Sequence, residues 1–295
     1  ATTSVKKGYA SSAEYLPAAS PADYGPNLKK FVDKKCTYII GVGFALGDAI
    51  IASAEANPTV KYAIVDDAGL KNFTTPIANL KGITFKTNEN SFLAGYLAAG
   101  YSKTGVVATY GGMPFPTVTI FMDGFAKGVE YYNDVKGKSV KVLGWDPAKP
   151  SAGTMVGDFA NTNKALSISQ NFELQGADVI FPVAGSLGVT TAENSMKTKK
   201  SVTIGVDADF NLTAPKVKSA VLISVLKGLN EAVQASVKEA YDGKYSNKQY
   251  VGTLKNKGVG LSPLYAPFNK SIPKSLQTEL KDLQVNVAGG YIPVS

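Results

Sequence analysis

Short apolar runs rich in β-branched residues recur along the chain, each closed by Gly, Asn or Asp and followed by a stretch of helical period. The runs at 38–43, 60–66, 106–110, 140–145, 179–183, 202–207 and 220–224 show no polar alternation, which predicts strands covered by helices on both faces of a sheet. Between them, Val118, Phe121, Met122, Phe125, Val129 and Tyr132 stand three and four apart, as do Leu226, Leu229, Val233 and Val237. Such stripes predict helices that bury one face. Strands and helices alternating in this way build mainly parallel sheets, so the fold class is α/β and doubly wound. The two ends depart from the rhythm. Residues 1–8 are polar and helix-like, with a first strand candidate at 13–16 only after them, and the apolar Tyr-Ile-Pro-Val within 289–295 predicts a last edge strand.

At 295 residues the chain exceeds what one hydrophobic core ordinarily serves, which predicts two lobes. Breaks are expected at 100–105 and between 226 and 263, where 244–257 turns polar and lysine-rich. The expected division is 1–103 plus 227–262 for the first lobe and 104–226 plus 263–295 for the second. An apolar fraction of 44% with 18% charged residues describes a folded chain. The charge balance is 31 − 23 = +8, yet neither arginine nor histidine occurs, so lysine carries all of it. That removes a Ser/His/Asp triad, a His-ligated metal, an arginine finger and the planar fork that grips phosphate or carboxylate. A single cysteine, Cys36, removes an intramolecular disulfide and a thiolate cluster, and is expected to be a small apolar residue entering a strand. The lysine pairs 6–7, 29–30, 34–35 and 199–200 are spread over the whole length and suit helix ends better than a nucleic-acid surface. The most apolar stretch, 38–54, is interrupted by Gly41, Gly43, Gly47 and Asp48, so no membrane span is expected.

Three segments could carry chemistry. Gly41-Val-Gly-Phe-Ala-Leu-Gly47, with Asp66 closing the next strand, is a loose variant of a dinucleotide fingerprint, or simply a tight strand-to-helix turn. The segment from Gly176 to Gly188 runs a buried strand into a Gly-rich turn, where Phe181, Ala184, Gly185 and Ser186 face a cleft or close an ordinary turn. Val202 to Asp209 ends a strand with two carboxylates. Asp207 suits the paired hydroxyls of a ribose, Asp207 with Asp209 suits an acid/base pair, and turn or helix-cap duty remains open. Lys227 has almost entirely apolar neighbours and either pairs with such an Asp or is solvated. Among Phe44, Phe73, Phe115, Phe181 and Phe210, one or two are candidates to sandwich a planar ring.

Tyr24-Gly-Pro-Asn-Leu-Lys-Lys-Phe-Val, Ile39-Ile-Gly-Val-Gly-Phe, Asn90-Ser-Phe-Leu-Ala-Gly-Tyr-Leu-Ala-Ala, Gly111-Gly-Met, Phe121-Met-Asp-Gly-Phe, Gly176-Ala-Asp-Val-Ile-Phe-Pro-Val-Ala-Gly and Gly205-Val-Asp-Ala-Asp resemble, in that order, the basic membrane protein family. These are substrate-binding lipoproteins of bacterial ABC importers, and the best understood bind purine nucleosides. The resemblance implies a type I periplasmic-binding-protein fold, two doubly wound lobes closing on a nucleoside, with delivery to a membrane permease. It implies that Phe181 is one face of a base sandwich, that Gly185 lies beside the ligand, that Asp207 binds the ribose hydroxyls and that Lys227 reaches the ribose. Asp123 is implied at the purine edge and Phe44 at the pocket wall. No cofactor, metal or nucleic acid is implied, and the protein is expected to be monomeric and exported, at the cell surface or in the periplasm, anchored through an N-terminal lipid. The family's opening strand and its Ser-Phe-Asn loop have no counterpart between Ala1 and Ser20, so this chain is expected to begin late. The rivals are a nucleoside hydrolase built on Asp66–Asp67 and Asp207–Asp209, a dehydrogenase built on Gly41–Gly47, and a sugar receptor of the same fold.

Overall fold

A computed structural model describes residues 2–294. The chain opens with helices α1 (Thr2–Lys6) and α2 (Tyr24–Asp33), strand β1 (Tyr38–Val42), helix α3 (Gly47–Ala56) and strand β2 (Lys61–Val65). Two short strands, β3 (Leu70–Lys71) and β4 (Thr75–Pro76), precede β5 (Leu80–Phe85). Next come α4 (Thr87–Tyr101), β6 (Val106–Gly111), α5 (Pro116–Lys136), β7 (Lys141–Leu143), α6 (Thr162–Leu174) and β8 (Val179–Val183). They are followed by α7 (Leu187–Thr198), β9 (Val202–Asp207), α8 (Phe210–Thr213), β10 (Val221–Lys227) and α9 (Leu229–Tyr241). The last elements are β11 (Tyr250–Gly252), β12 (Val259–Leu261), α10 (Phe268–Ser271) and α11 (Lys274–Ala288). The seven apolar runs from 38–43 to 220–224 each form a strand, and Leu226 belongs to β10 rather than to the stripe of α9.

Two compact units result, Ala1–Phe85 with Gly228–Gly252, and Lys86–Lys227 with Thr253–Ser295. The division falls at 85/86 and 252/253 instead of 103 and 262, for two physical reasons. Helix α4 is inseparable from α5: a Cβ on Gly95 would lie 2.1 Å from the Phe125 carbonyl oxygen, and one on Gly128 would lie 2.0 Å from that of Phe92. Glycine is required where two backbones touch in this way. The segment after 252 pairs as β12, antiparallel to β10, inside the second unit.

The first unit holds a parallel sheet in the order β1-β2-β5-β11. Ile39, Ile64, Leu80, Ile50 and Leu28 fill its core, and half-buried Cys36 packs against them on the approach to β1. Strand β5 lacked a sequence signal because Lys81 interrupts its apolar run. The Lys81 side chain is only 5% exposed and is ion-paired with Glu239 of α9, itself 42% exposed. Beside this pair, the Tyr38 hydroxyl hydrogen-bonds Ser236 of α9, and burial pushes its pKa up to about 12. Residues 13–16 form no strand: they are exposed apart from half-buried Leu16, and Pro17 follows directly.

The second unit has a sheet in the order β12-β10-β9-β8-β6-β7, parallel except for β12. On one face Tyr110, Ile180, Phe172 and Leu187 form a core. Its polar seam is closed by the buried Tyr110 hydroxyl on Thr191 and by Ser169 on Thr191. Phe121, Phe125 and Phe181 pack together where α5 crosses β8. Asn90, fully buried in α4, donates its amide to the carbonyls of Leu226 and Gly260, which pins the ends of β10 and β12. The last edge strand expected at 289–295 does not form. Helix α11 runs to Ala288, and 289–294 make turns, with Tyr291 80% exposed; Ser295 lies outside the described residues.

Candidate functional site

Strands β8, β9 and β10 are parallel neighbours, so their carboxyl ends lie along one edge of the second unit. Ligands of open α/β sheets bind beyond that edge. At the end of β8 the chain turns through Gly185 at φ +56°, where a Cβ would meet nothing within 4 Å, and α7 begins two residues later. Strand β9 ends at Asp207, held at φ +66° while the Ala208 amide donates back to the Val206 carbonyl. Asp tolerates this left-handed geometry better than most residues, and the turn lifts its side chain away from the strand line.

Strand β10 brings the partner. Leu226 is in register with Asp207, and Lys227 follows as the last residue of the strand. Its ammonium lies 3.0 Å from Asp207 Oδ1 and 5.0 Å above the centre of the Phe121 ring. The Lys227 side chain is 6% exposed and that of Asp207 37%. Asp207 Oδ1 is itself buried, so the exposed surface of this carboxylate faces outward on its other side. The result is a carboxylate whose charge is answered from one side by Lys227 and which is partly exposed to solvent.

Other expected residues lie elsewhere. Phe181 is wholly buried, with its ring 6.2 Å from Phe121 and 5.4 Å from Phe125, so in this structure it belongs to the core and presents no open stacking face. Asp123 is on α5 two residues from Phe121, a spacing that turns it to another side of the helix. There it accepts a hydrogen bond from Trp145 Nε1 at 2.9 Å. Phe44 stands half-buried in a short 3₁₀ turn after β1, in the first unit. Asp209 caps α8 by accepting from the Asn211 amide and takes the Tyr265 hydroxyl on its other oxygen at 2.8 Å, a bond that raises the tyrosine's pKa. Helix-cap duty thus occupies one member of the Asp207–Asp209 pair.

The Gly41–Gly47 turn is accounted for by packing. A Cβ on Gly41 would come within 2.9 Å of Ile50, and one on Gly47 within 3.0 Å of an Asp67 carboxylate oxygen. Burial raises the pKa of Asp67, and the charge of Asp48 raises it further. A pyrophosphate at this helix start would meet carboxylates where a dinucleotide site offers free amides. Sequence reasoning missed Phe121 as the seat of the Lys227 ammonium and Tyr265 as the partner of Asp209. Phe121 announced itself only as one apolar position in a helical stripe.

Two α/β units built on parallel sheets have the type I periplasmic-binding-protein fold, and the match to a substrate-binding family makes the chain a solute-binding protein. Over residues 2–288 the sequence matches the model of the ABC transporter substrate-binding protein PnrA-like family, and the chain belongs to that family. It is 29% identical over 289 residues to the ABC transporter nucleoside-binding protein BmpA of Lactococcus lactis, with 92% of this chain and 77% of that protein covered. It is also 29% identical over 250 residues to basic membrane protein D of Borreliella burgdorferi, with 83% and 67% covered. Among solved structures, an ABC transporter solute-binding protein from Aeropyrum pernix superposes with a TM-score of 0.80 at 22% identity, over 94% of this chain and 82% of that one.

Proposed function

We propose that this protein is the nucleoside receptor of an ABC importer, that purine nucleosides are its ligands, and that it hands them to the membrane permease. The observation that carries the reading is the outward face of Asp207, fixed from behind by Lys227 at the carboxyl edge of β9. A carboxylate so placed accepts two hydrogen bonds from a vicinal diol, as the 2′- and 3′-hydroxyls of a ribose require. The absence of arginine agrees with a ligand that carries no phosphate or carboxylate. The nucleoside-binding BmpA relative, matched over most of this chain, supports the same class of ligand. The receptor is proposed to act as a monomer at the outer side of the cell membrane, tethered close to its permease.

Calorimetric titration with inosine, adenosine, guanosine and ribose tests the reading, together with mass spectrometry of small molecules released on denaturation. Tight binding of at least one purine nucleoside, with ribose far weaker, is expected. Ribose binding as tightly as inosine, or release of free hypoxanthine on incubation with inosine, would overturn it.

A further inference from the structure

Strand order and register define a row of positions along the carboxyl edge of the second unit. Gly111 of β6 is level with Val183 of β8, and the β8–β9 register, carried three residues on from Ile180 and Thr203, puts Val183 level with Val206. One residue further out, Gly112 therefore stands in the row of Asp207, two strands away, which is about 10 Å at ordinary sheet spacing. Between them runs the turn at Ala184 and Gly185. Ala184 is buried, and Gly185 carries no side chain and has open space where one would stand. At the Gly112 end stands an aromatic ring. Phe159 lies against the Gly112 backbone, where a Cβ would come within 2.3 Å of the ring, and Phe115 flanks it at 6.2 Å with the planes tilted by 32°.

Phe159 is held in place yet left uncovered. Its loop is zipped onto the end of β6: the Gly111 amide donates to Thr154, the Val156 amide to Gly111 and the Gly157 amide to Gly112. Just beyond, Asp158 accepts from the amides of Ala160 and Asn161. The Phe159 side chain nevertheless remains 39% exposed. An apolar ring already fixed on a ligand-receiving edge loses little freedom when a flat apolar group packs on it, and both surfaces leave water. The neighbouring segment Gly112-Met-Pro-Phe-Pro116 carries no ionisable group, so this end of the row suits a neutral group.

We propose that Phe159 is a specificity-determining residue that closes the base end of the ligand site, and that its separation from Asp207 selects purine over pyrimidine nucleosides. This rests on the nucleoside reading above and deepens it. With its ribose hydroxyls on Asp207, a nucleoside laid along the row crosses the Gly185 turn, and the fused second ring of a purine brings the base to Phe159. A pyrimidine, one ring shorter, stops before it. The wall adds to the ribose contacts at the ends of β9 and β10 and replaces none of them.

Calorimetric titration of the native protein and of Phe159→Ala with inosine, uridine and ribose tests this. The native protein is expected to bind inosine about 10-fold more tightly than uridine, the size of one aromatic contact to a base. Phe159→Ala is expected to weaken inosine binding about 10-fold, uridine binding by less than about 2-fold, and ribose binding not at all, so that the selectivity collapses. Equal native affinity for inosine and uridine, equal losses of the two in Phe159→Ala, or no loss of inosine would overturn the proposal and leave the nucleoside reading standing. Failure of the native protein to bind any nucleoside would overturn both. A second variant reaches the ring from behind. Gly112→Ala places a methyl where the Phe159 ring now lies, and is expected to weaken inosine binding about 5-fold in the native background but by less than about 2-fold when Phe159→Ala is already present. Equal losses in both backgrounds would show that the ring does not mediate the effect and would refute its place at the base.

Discussion

Each unit buries the side chain of a lysine against a half-exposed carboxylate: Lys81 with Glu239 in the first, Lys227 with Asp207 in the second. The burial is nearly identical, at 5% and 6%, and so is the exposure of the acid, at 42% and 37%. What differs is the origin of the acid. Glu239 reaches down from the last turn of helix α9, so its pair ties a helix to a sheet. Asp207 sits at the last residue of a strand, in a left-handed backbone conformation, on the edge where α/β proteins receive ligands. On the function proposed above, an ion pair of one chemical kind is structural in one unit and recognitive in the other because of the element that presents the acid.

The strongest way to break this comparison is to remove each acid. Glu239→Ala and Asp207→Ala both leave a buried ammonium uncompensated and are expected to destabilise their units by about 2–3 kcal/mol, less than for a fully buried pair because each acid is partly solvated. Urea unfolding measures this loss. Asp207→Ala alone is expected to weaken inosine binding on the order of 100-fold as well, from the loss of two charge-assisted hydrogen bonds. If Glu239→Ala impairs binding as severely, the functional contrast between the pairs is wrong.

Replacing the lysine along with the acid sharpens the point. Lys81→Met with Glu239→Ala, and Lys227→Met with Asp207→Ala, should each regain most of the lost stability in urea, since two apolar groups of suitable volume replace a buried pair at little cost. Binding should be retained only in the first combination, where Asp207 is intact.

A smaller effect of opposite sign is expected at Asp67. Its pKa is raised from 3.8, chiefly by burial, so the folded state holds the proton more tightly than the unfolded one. Stability tied to this group is therefore fully present below pH 3.8 and declines as pH rises through the elevated value. Asp67→Asn keeps an oxygen for the Gly69 amide and should gain stability at pH 7, a gain that shrinks toward zero as pH falls below 3.8. Thermal melts from pH 3 to 8 would show the two curves converging at the acid end. An effect confined to alkaline pH concerns Tyr38, whose hydroxyl is pushed from 10 up to about 12. Between those values the unfolded chain ionises first, so stability falls with rising pH, and Tyr38→Phe should flatten part of that alkaline decline in urea titrations at pH 9 to 12.

Much of this was legible in the sequence. Continuous apolar runs such as 179–183 and 202–207 are sufficient for a strand buried on both faces, and Asp207 was visible as a carboxylate closing one of them. Strand β5 was not, because Lys81 reads as solvated until Glu239, far along the chain, is known to stand over it. Expected strands at 13–16 and 289–295 failed since apolar composition without a neighbouring strand to pair with yields only turns and exposed chain. For Phe181 the residue type was right for stacking, but only packing shows its faces taken by Phe121 and Phe125. The link from Lys227 to Phe121 joins distant positions through space and leaves no trace in local periodicity.

The glycine seam between α4 and α5 has a mechanical meaning. Gly95, Gly124 and Gly128 bring main chain against main chain, and beside them Phe92 and Tyr96 of α4 pack on Tyr131 and Tyr132 of α5. Such close contact couples the two helices, so α5, which carries Phe121, is expected to move with α4. For the receptor role proposed above, such coupling would join the Phe121 ring, which lies beneath the Lys227 ammonium, to both helices.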